Sequence, residues 1–186
     1  MTLHIRRSSL LATVLVLGAT PAFAQQDTRA QERRQEIDNS AQAILDEAFN
    51  AQPGVRDLYG RAAGYAVFTV TKGGFIVSGG GGNGVAVDKA TGQRTYMRMG
   101  TGGIGLGIGG QRYGLVILFE NQDRLAKFVA GGWDSSATAE AVAGQEGVTF
   151  RSSFIDGLAL YQITDKGLMA QADVSGTKFW VNEELR

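Results

Sequence analysis

The chain contains no cysteine and a single histidine, His4, which lies close to its amino terminus. Catalytic triads with a histidine base, cysteine nucleophiles and the usual zinc sites all need one of these residue types. Since His4 falls in a segment that is predicted to be removed, these enzyme and metal classes are excluded, and we expect no enzymatic activity. Disulfide bonds are also excluded, so the fold must be stabilised by packing.

Long apolar runs are scarce as well, and the one near the amino terminus is typical of a secretory signal peptide, residues 1–24. Two adjacent arginines form its basic start, an apolar core follows, and Ala22-Phe23-Ala24 provides the small residues for cleavage. No later run is long and apolar enough for a membrane-spanning helix. We therefore expect a periplasmic or secreted protein whose residues 25–186 form one domain.

The mature chain is predicted to begin with an amphipathic helix from Gln25 to about Gln52, ended by Pro53-Gly54. Its apolar residues recur every three or four positions and form one stripe. The polar face around this stripe is mainly acidic, whereas helices that lie on membranes usually carry Lys and Arg there. Docking of the stripe on the protein's own sheet is therefore favoured over binding to a membrane surface.

From Gly64 onward the pattern is that of β-strands. A hairpin loop is predicted at 88–92, and a second helix is predicted to start after Asn121 and to stop at Gly131-Gly132. The strands are expected within Tyr65–Thr71, Gly74–Val77, Val85–Asp88, Arg94–Met99, Tyr113–Glu120 and 137–143, and in a carboxy-terminal meander of Phe154–Thr164, Leu168–Val174 and Thr177–Asn182. This order predicts an α+β fold, in which the amino-terminal helix packs on a glycine-rich antiparallel sheet or partly closed barrel, with one further helix.

Glycine is abundant, and sixteen of the 27 glycines lie between Gly73 and Gly114. Residues 103–109 alternate glycine with Ile or Leu, so an extended strand there would have one face of bare backbone. Such a face lets a ligand or another element approach the main chain closely. Two stretches, 79–84 and 100–105, match the G-x-G-x-x-G string, but β patterns follow both, and dinucleotide binding needs a helix there. No cofactor is therefore predicted.

Positive charge is concentrated in the same part of the chain. Residues 61–112 contain six basic residues and one acidic residue, a net charge of +5, while the segments before and after carry −3 and −4. In a strand, Arg94, Tyr96 and Arg98 share one face. A flat basic sheet suits an anionic partner. The aromatic flanked by two cations fits a phosphorylated headgroup or a sugar, and it fits an ordinary solvated face equally well. The candidate residues for contact with an anionic partner are Arg61, Lys72, Arg94, Tyr96, Arg98 and Arg112.

Several separated elements resemble the SYLF family. They are the segment from Gly64 to Phe75 (GYAVFTVTKGGF), the glycines after it, the run that ends at Gln111, and the Gly-Leu-Ala and Lys-Gly-Leu pieces near the carboxy terminus. The resemblance covers about Leu58 to Leu185 and implies a non-enzymatic domain that binds phosphoinositide-type or other anionic lipids. Together with the basic segment, it predicts that the six candidate residues are lipid-binding residues, in contact with anionic lipid or a membrane surface and not with nucleic acid. Lys72 occupies the place of the family's lysine in its Lys-x-Gly-Phe element, whereas Ala63 stands where many members have another lysine.

Two alternatives remain open from the residues alone. Glycine-rich antiparallel strands and the length of the chain also fit a small outer-membrane β-barrel. A flat bare ribbon also fits an assembly module of the cell envelope, including a homo-oligomer.

Overall fold

An antiparallel sheet of seven strands forms the centre of the protein in the computed structural model. The structure describes residues 21–74, 77–104, 109–131, 153–164, 167–169 and 177–186. The strands are β1 (Gly64–Gly74), β2 (Val77–Asp88), β3 (Arg94–Ile104), β4 (Gly109–Phe119), β5 (Leu158–Thr164), β6 (Gly167–Met169) and β7 (Thr177–Val181). Their order across the sheet is β6-β5-β4-β1-β2-β3-β7. The described strands form an open sheet that is not closed into a barrel, and the predicted α+β class is confirmed.

Two helices cover one face of the sheet and a third covers the other. They are α1 (Pro21–Ala51), α2 (Pro53–Arg61) and α3 (Gln122–Val129), and a 3-10 turn (Glu183–Leu185) closes the described chain. The predicted amino-terminal helix and the helix after Asn121 are both confirmed, with small shifts at their ends. Pro53 lies in the first turn of α2, where its missing N–H costs no hydrogen bond.

The apolar stripe of α1 docks on the sheet, as its spacing predicts. Ile37, Ala41, Leu45 and Ala48 are buried there, at intervals of three or four residues. They belong to a core that also contains buried residues of α2 and of the central strands. These partners include Val55, Leu58, Val67, Val85, Val116, Leu118 and Tyr161. Docking on the protein's own sheet is therefore confirmed for this stripe.

The opposite face of the sheet is packed against α3. The side chain of Asn121 accepts a hydrogen bond from the backbone N–H of Arg124 at 3.0 Å, which caps the helix. Phe128 of α3 then lies within 5.1 Å of the ring of Phe179 and within 6.3 Å of that of Phe68, measured between ring centroids. These aromatic contacts join α3 to both β1 and β7.

Two details of the strands differ from the prediction. The glycines at 79–84 lie inside β2, which runs without interruption to Asp88, because both neighbouring strands supply ladder partners along this stretch. The expected meander is also wrong: β5 and β6 form a hairpin, but β7 crosses to the far edge and pairs with β3. This position buries Phe179 against Phe68 and Phe128, a gain that local sequence does not reveal.

Some sequence predictions lie outside the described residues. They concern the centre of the alternating ribbon (105–108), the strand proposed at 137–143 and most of the strand proposed at Leu168–Val174. The signal peptide lies almost wholly outside as well, and its removal stays a prediction. The hairpin loop at 88–92 is confirmed, since Gly92 has a φ of 73° and donates its N–H to the carbonyl of Asp88 at 2.8 Å.

Candidate functional site

The glycine-rich ends of β4, β1, β2 and β3 lie side by side at one end of the sheet, on the face that α1 covers elsewhere. The register aligns Gly110, Gly73, Gly79 and Gly102 in one row across these strands, which we call the glycine floor. All four residues are exposed. A Cβ added to Gly102 or Gly110 would meet nothing within 4 Å, and at Gly79 only a carbonyl oxygen at 4.0 Å. Packing within the described residues therefore does not require glycine at these three positions.

The glycines of β2 that face α3 are different. A Cβ at Gly84 would overlap the carbonyl oxygen of Val67 and the ring of Phe68. At Gly82 a Cβ would lie 2.6 Å from the carbonyl oxygen of Thr69. These glycines permit close packing of the sheet, so the two faces of the same strand use glycine for different reasons.

Next to the glycine floor lies a row with a basic residue at each end. The register places Arg112, Thr71, Gly81, Gly100 and Lys178 side by side on β4, β1, β2, β3 and β7. Both basic side chains are exposed. No ion pair joins either of them to another residue in the described parts of the chain.

Trp180 stands beside this row on the edge strand β7. Its ring covers Gly100, where an added Cβ would lie 3.2 Å from the indole. Trp180 is 44% exposed and is the one large apolar side chain that stands out in solvent among the described residues. A tryptophan that is half in solvent next to Lys178 is the kind of side chain found at membrane–water boundaries.

A groove opens between α1 and this end of the sheet, with a volume of about 330 Å³. The helix contributes Arg33, Glu36, Ile37 and Ser40, which share one face of α1 because they are three, four and seven residues apart. The sheet contributes residues of β1, β2 and β4, namely Thr69, Thr71, Gly81, Gly82, Asn83 and Arg112. Arg112 thus links the groove to the basic row.

Arg94 and Tyr96, two of the predicted lipid-binding residues, are engaged by α1. The guanidinium of Arg94 lies 2.7 Å from a carboxylate oxygen of Asp38, and the Tyr96 hydroxyl donates to the same oxygen at 3.0 Å. The hydrogen bond from Arg94 to Asp38, with the charge of Asp38, raises the pKa of Arg94. Burial, followed by the separate hydrogen bond from its hydroxyl to Asp38, raises the pKa of Tyr96. Both residues therefore hold the helix on the sheet, and they are not open to an anionic partner in this state.

Arg98 shares the sheet face of Arg94 and Tyr96, as the sequence predicts, but it also has an acidic partner. Its guanidinium lies 2.7 Å from the carboxylate of Glu184 in the 3-10 turn. Both side chains are well exposed, so solvent screens this pair and the contact is weak. Arg98 is thus closer to the basic row than Arg94 but is less available than Arg112.

The two remaining predicted residues, Arg61 and Lys72, lie away from the groove. Arg61 is in the last turn of α2, with its guanidinium 6.0 Å from the centre of the Phe154 ring. Lys72 is on β1 between Thr71 and Gly73 and therefore points to the α3 side of the sheet. The structure thus does not bring the six predicted residues into one surface; Arg112 alone among them lines the groove.

Sequence reasoning missed most of the groove. Arg33, Thr69, Thr71 and Asn83 are not among the predicted site residues. One signal was available, because Val67, Thr69 and Thr71 alternate on β1 and change from apolar to hydroxylated along one face. Arg33 lies across the groove from Arg112 because of where α1 docks along the sheet. The sequence pattern of the strands does not determine that position.

Other chemistry is limited in the parts of the chain that the structure describes. A second groove of about 360 Å³ lies on the other side of α1 and includes Asp38, Tyr65 and Arg94, which already interact with one another or with α1. Burial, followed by the neighbouring Tyr59, raises the pKa of Tyr65 to about 12. The described residues form no cluster of acidic, histidine or cysteine side chains suited to a metal ion. No helix among them is both long and apolar enough to cross a bilayer.

None of the protein-family models matches the chain. A curated protein of Aeromonas veronii shares 40% identity with it over 156 residues, which is 84% of this chain. The chain is similar to Beta cell expansion factor A. It spans about 60% of the length of that protein, so the activity of the whole relative does not transfer by similarity alone.

Proposed function

We propose that this protein is a non-enzymatic, exported lipid-binding protein of the periplasm. It contacts anionic phospholipid, phosphoinositide-like or other, through the glycine floor and the basic row beside it. The single observation that carries this proposal is that Arg112 and Lys178 stand at the two ends of one row, exposed and without an ion-pair partner in the described residues. We therefore assign the lipid contact to Arg112 and Lys178, and to Arg33 in the groove, in place of Arg94 and Arg98, which have acidic partners.

Two further features support contact with a lipid surface. Trp180 provides a partly exposed indole next to Lys178, so an apolar ring and a cation can meet the acyl and phosphate regions together. The glycine floor adds an area without side chains, over which a headgroup or chain can approach the backbone closely. The resemblance to the SYLF family supports the same function. The name of the Aeromonas relative concerns an effect on beta cells and gives no ligand.

Liposome co-sedimentation tests this proposal. Residues 25–186 are mixed with phosphatidylcholine vesicles that either contain or lack phosphatidylglycerol, at low and high salt. We expect binding to the anionic vesicles at low salt and a marked loss at high salt, because salt screens exposed charges. Equal, negligible sedimentation with both kinds of vesicle would refute lipid binding.

Charge-removing variants locate the contact. Arg112→Gln and Lys178→Gln should each weaken binding about fivefold, since one basic residue near an anionic surface contributes about 1 kcal/mol. Lys127→Gln is the matched control, because Lys127 is an exposed cation on α3, on the other side of the sheet. Lys72→Gln tests which face of the sheet the membrane contacts, since Lys72 is on the α3 side. A loss of binding as large as that of Arg112→Gln would mean that the membrane contacts both faces at this end of the sheet.

The glycine floor also supports a second candidate function, an assembly module of the cell envelope. A flat row of exposed glycines lets another sheet or chain approach more closely than side chains would allow. Size-exclusion chromatography with light scattering separates the two functions. A strictly monomeric protein that binds lipid would argue against assembly, whereas a stable oligomer that Gly102→Leu disrupts would support it.

A further inference from the structure

The groove between α1 and the sheet contains charges of both signs that have no ion-pair partner among the described residues. Arg33 and Glu36 stand on the α1 wall, and Arg112 stands on the β4 wall. None of the three forms an ion pair or a side-chain hydrogen bond with the residues that the structure describes. The neighbouring arginines behave differently, since Arg94 is paired with Asp38 and Arg34 donates to the carbonyls of Leu185 and Arg186.

The remaining polar groups of the groove are uncharged. Ser40, Thr69 and Thr71 offer hydroxyls and Asn83 offers an amide, each of which can donate or accept a hydrogen bond. The volume of about 330 Å³ is at the lower end of the range of small-molecule sites. A ligand that fits this composition is small, has a phosphate for the two guanidinium groups, and has a cation for the carboxylate.

We propose that the groove binds the phosphoethanolamine group, in which a phosphodiester and a primary ammonium are joined by a short chain. Arg33 and Arg112 hold the phosphate from opposite walls, since guanidinium groups match phosphate oxygens with paired hydrogen bonds. Glu36 accepts hydrogen bonds from the ammonium. This inference rests on the proposed function and deepens it, because it assigns one phospholipid headgroup to one part of the lipid-contact face.

The same residues predict discrimination against phosphocholine. A quaternary ammonium has no N–H to donate, and proteins usually bind it with faces of aromatic rings. None of the described residues that line the groove is aromatic. These residues therefore offer choline no aromatic face, and Glu36 receives no hydrogen bond from it. Phosphoglycerol leaves the Glu36 carboxylate without a cation.

The first measurement uses soluble headgroups, which separate the groove from the membrane. Glycerophosphoethanolamine and glycerophosphocholine are titrated into residues 25–186 and followed by NMR. We expect the ethanolamine compound to bind about fivefold more tightly, because only its ammonium donates hydrogen bonds to the Glu36 carboxylate, a contribution of about 1 kcal/mol. It should also shift the amides of Thr69, Thr71 and Asn83. Equal affinities, or shifts confined to residues away from the groove, would overturn the inference.

The second measurement uses vesicles with a fixed fraction of phosphatidylglycerol, in which the other lipid is either phosphatidylcholine or phosphatidylethanolamine. Glu36→Gln should remove the ethanolamine preference and leave the phosphatidylglycerol-dependent binding in place. Glu47→Gln, an exposed carboxylate further along α1, should keep the preference. A preference that persists in Glu36→Gln arises from the packing of the bilayer and overturns the inference.

The two measurements distinguish this inference from the proposed function. Binding to anionic vesicles without any ethanolamine preference leaves the proposed function intact and refutes the role of the groove. Selective binding of glycerophosphoethanolamine without binding to any vesicle supports the groove and identifies a soluble phosphodiester, rather than a bilayer, as the source of the ligand.

Discussion

Asp38 joins α1 to the sheet through two polar contacts to β3. One carboxylate oxygen accepts from both the guanidinium of Arg94 and the hydroxyl of Tyr96, while the other oxygen is buried and has no hydrogen-bond partner among the described residues. The side chain is only 19% exposed. The orphan oxygen reduces the net gain from the ion pair, because its lost hydration is not replaced.

We expect Asp38→Ala to lower the free energy of unfolding by about 1 kcal/mol at low salt, since it removes a partly exposed ion pair and one hydrogen bond but also relieves the orphan oxygen. Urea denaturation measures the change. Glu47→Ala, at an exposed position of the same helix, should stay within about 0.5 kcal/mol of the parent protein. Equal losses in the two variants would show that Asp38 does not hold α1 on the sheet.

Tyr161 makes the free energy of unfolding depend on pH in the alkaline range. It is buried on the α1 face of the sheet, and burial raises its pKa to about 12. The phenol ionises near pH 10 in the unfolded chain, so this residue stabilises the folded state fully below that pH. Between about pH 10 and 12 we expect a loss on the order of 2 kcal/mol, to which the less buried Tyr65 adds a smaller part.

Denaturation at a series of alkaline pH values checks this expectation, and Tyr161→Phe isolates its cause. The variant should lose stability less steeply than the parent protein above pH 10, whatever its stability at neutral pH. An unchanged slope would assign the alkaline loss to other groups.

At the scale of the element, β2 shows how a strand can be rich in glycine and still belong to the central sheet. Glycine weakens a strand by roughly 0.5–1 kcal/mol per residue relative to alanine. In β2 this cost is offset where the missing side chain permits close packing, as at Gly84, and remains uncompensated at Gly79. The sequence predicted strands only on either side of residues 79–84, because strand propensity is low for glycine, whereas ladder pairing with β1 and β3 decides the outcome.

Alanine substitutions should therefore give opposite results on the two faces. Gly84→Ala is expected to destabilise the protein by about 2 kcal/mol or more, because the new methyl group meets backbone and the ring of Phe68. Gly102→Ala and Gly110→Ala should be neutral or stabilising by up to about 1 kcal/mol, since the space above them is open. Thermal unfolding of the three variants is the measurement, and a comparable loss in all three would contradict this division of roles.

At the scale of the whole molecule, helices pack on both faces of the sheet only along part of its length. β1 and β4 are central strands, and their middle residues are buried under α1 and α2 on one face and α3 on the other. The first turns of α1 have few packing contacts. Residues 25–29 are all exposed, and buried residues recur regularly only from Ile37 onward. Stability should therefore be unevenly distributed.

Hydrogen exchange measured by mass spectrometry tests this distribution. We expect the slowest exchange in the middle of β1 and β4, around Ala66–Phe68 and Val116–Leu118, where opening requires global unfolding. Residues 25–33 should exchange much faster, by local fraying of the helix end. Equal protection of the two halves of α1 would mean that the amino-terminal half is held by contacts beyond those in the described structure.

The sequence predicted the parts of this architecture that depend on local patterns. The amphipathic spacing in α1, the cap at Asn121 and the turn at Gly92 are each contained in a few neighbouring residues, and each is confirmed. Strand order and ion pairing are not local. The crossing of β7 and the pairing of Arg94 with Asp38 join residues far apart in the chain, so alternation and charge counts could predict which face Arg94 occupies but not its partner.

Because β1 is in register with both β2 and β4, the residues that stabilise the fold and the glycines that are free to change lie at opposite ends of the same strands. Toward the 88–92 loop, β1, β2 and β4 carry buried apolar side chains that secure the fold, while at the opposite end the outermost row that crosses β1 to β4 on the α1 side consists of glycines. Residues there can change with little penalty to folding. New specificity can thus be acquired at that end by adding side chains, without the compensating mutations that a change in the core would demand.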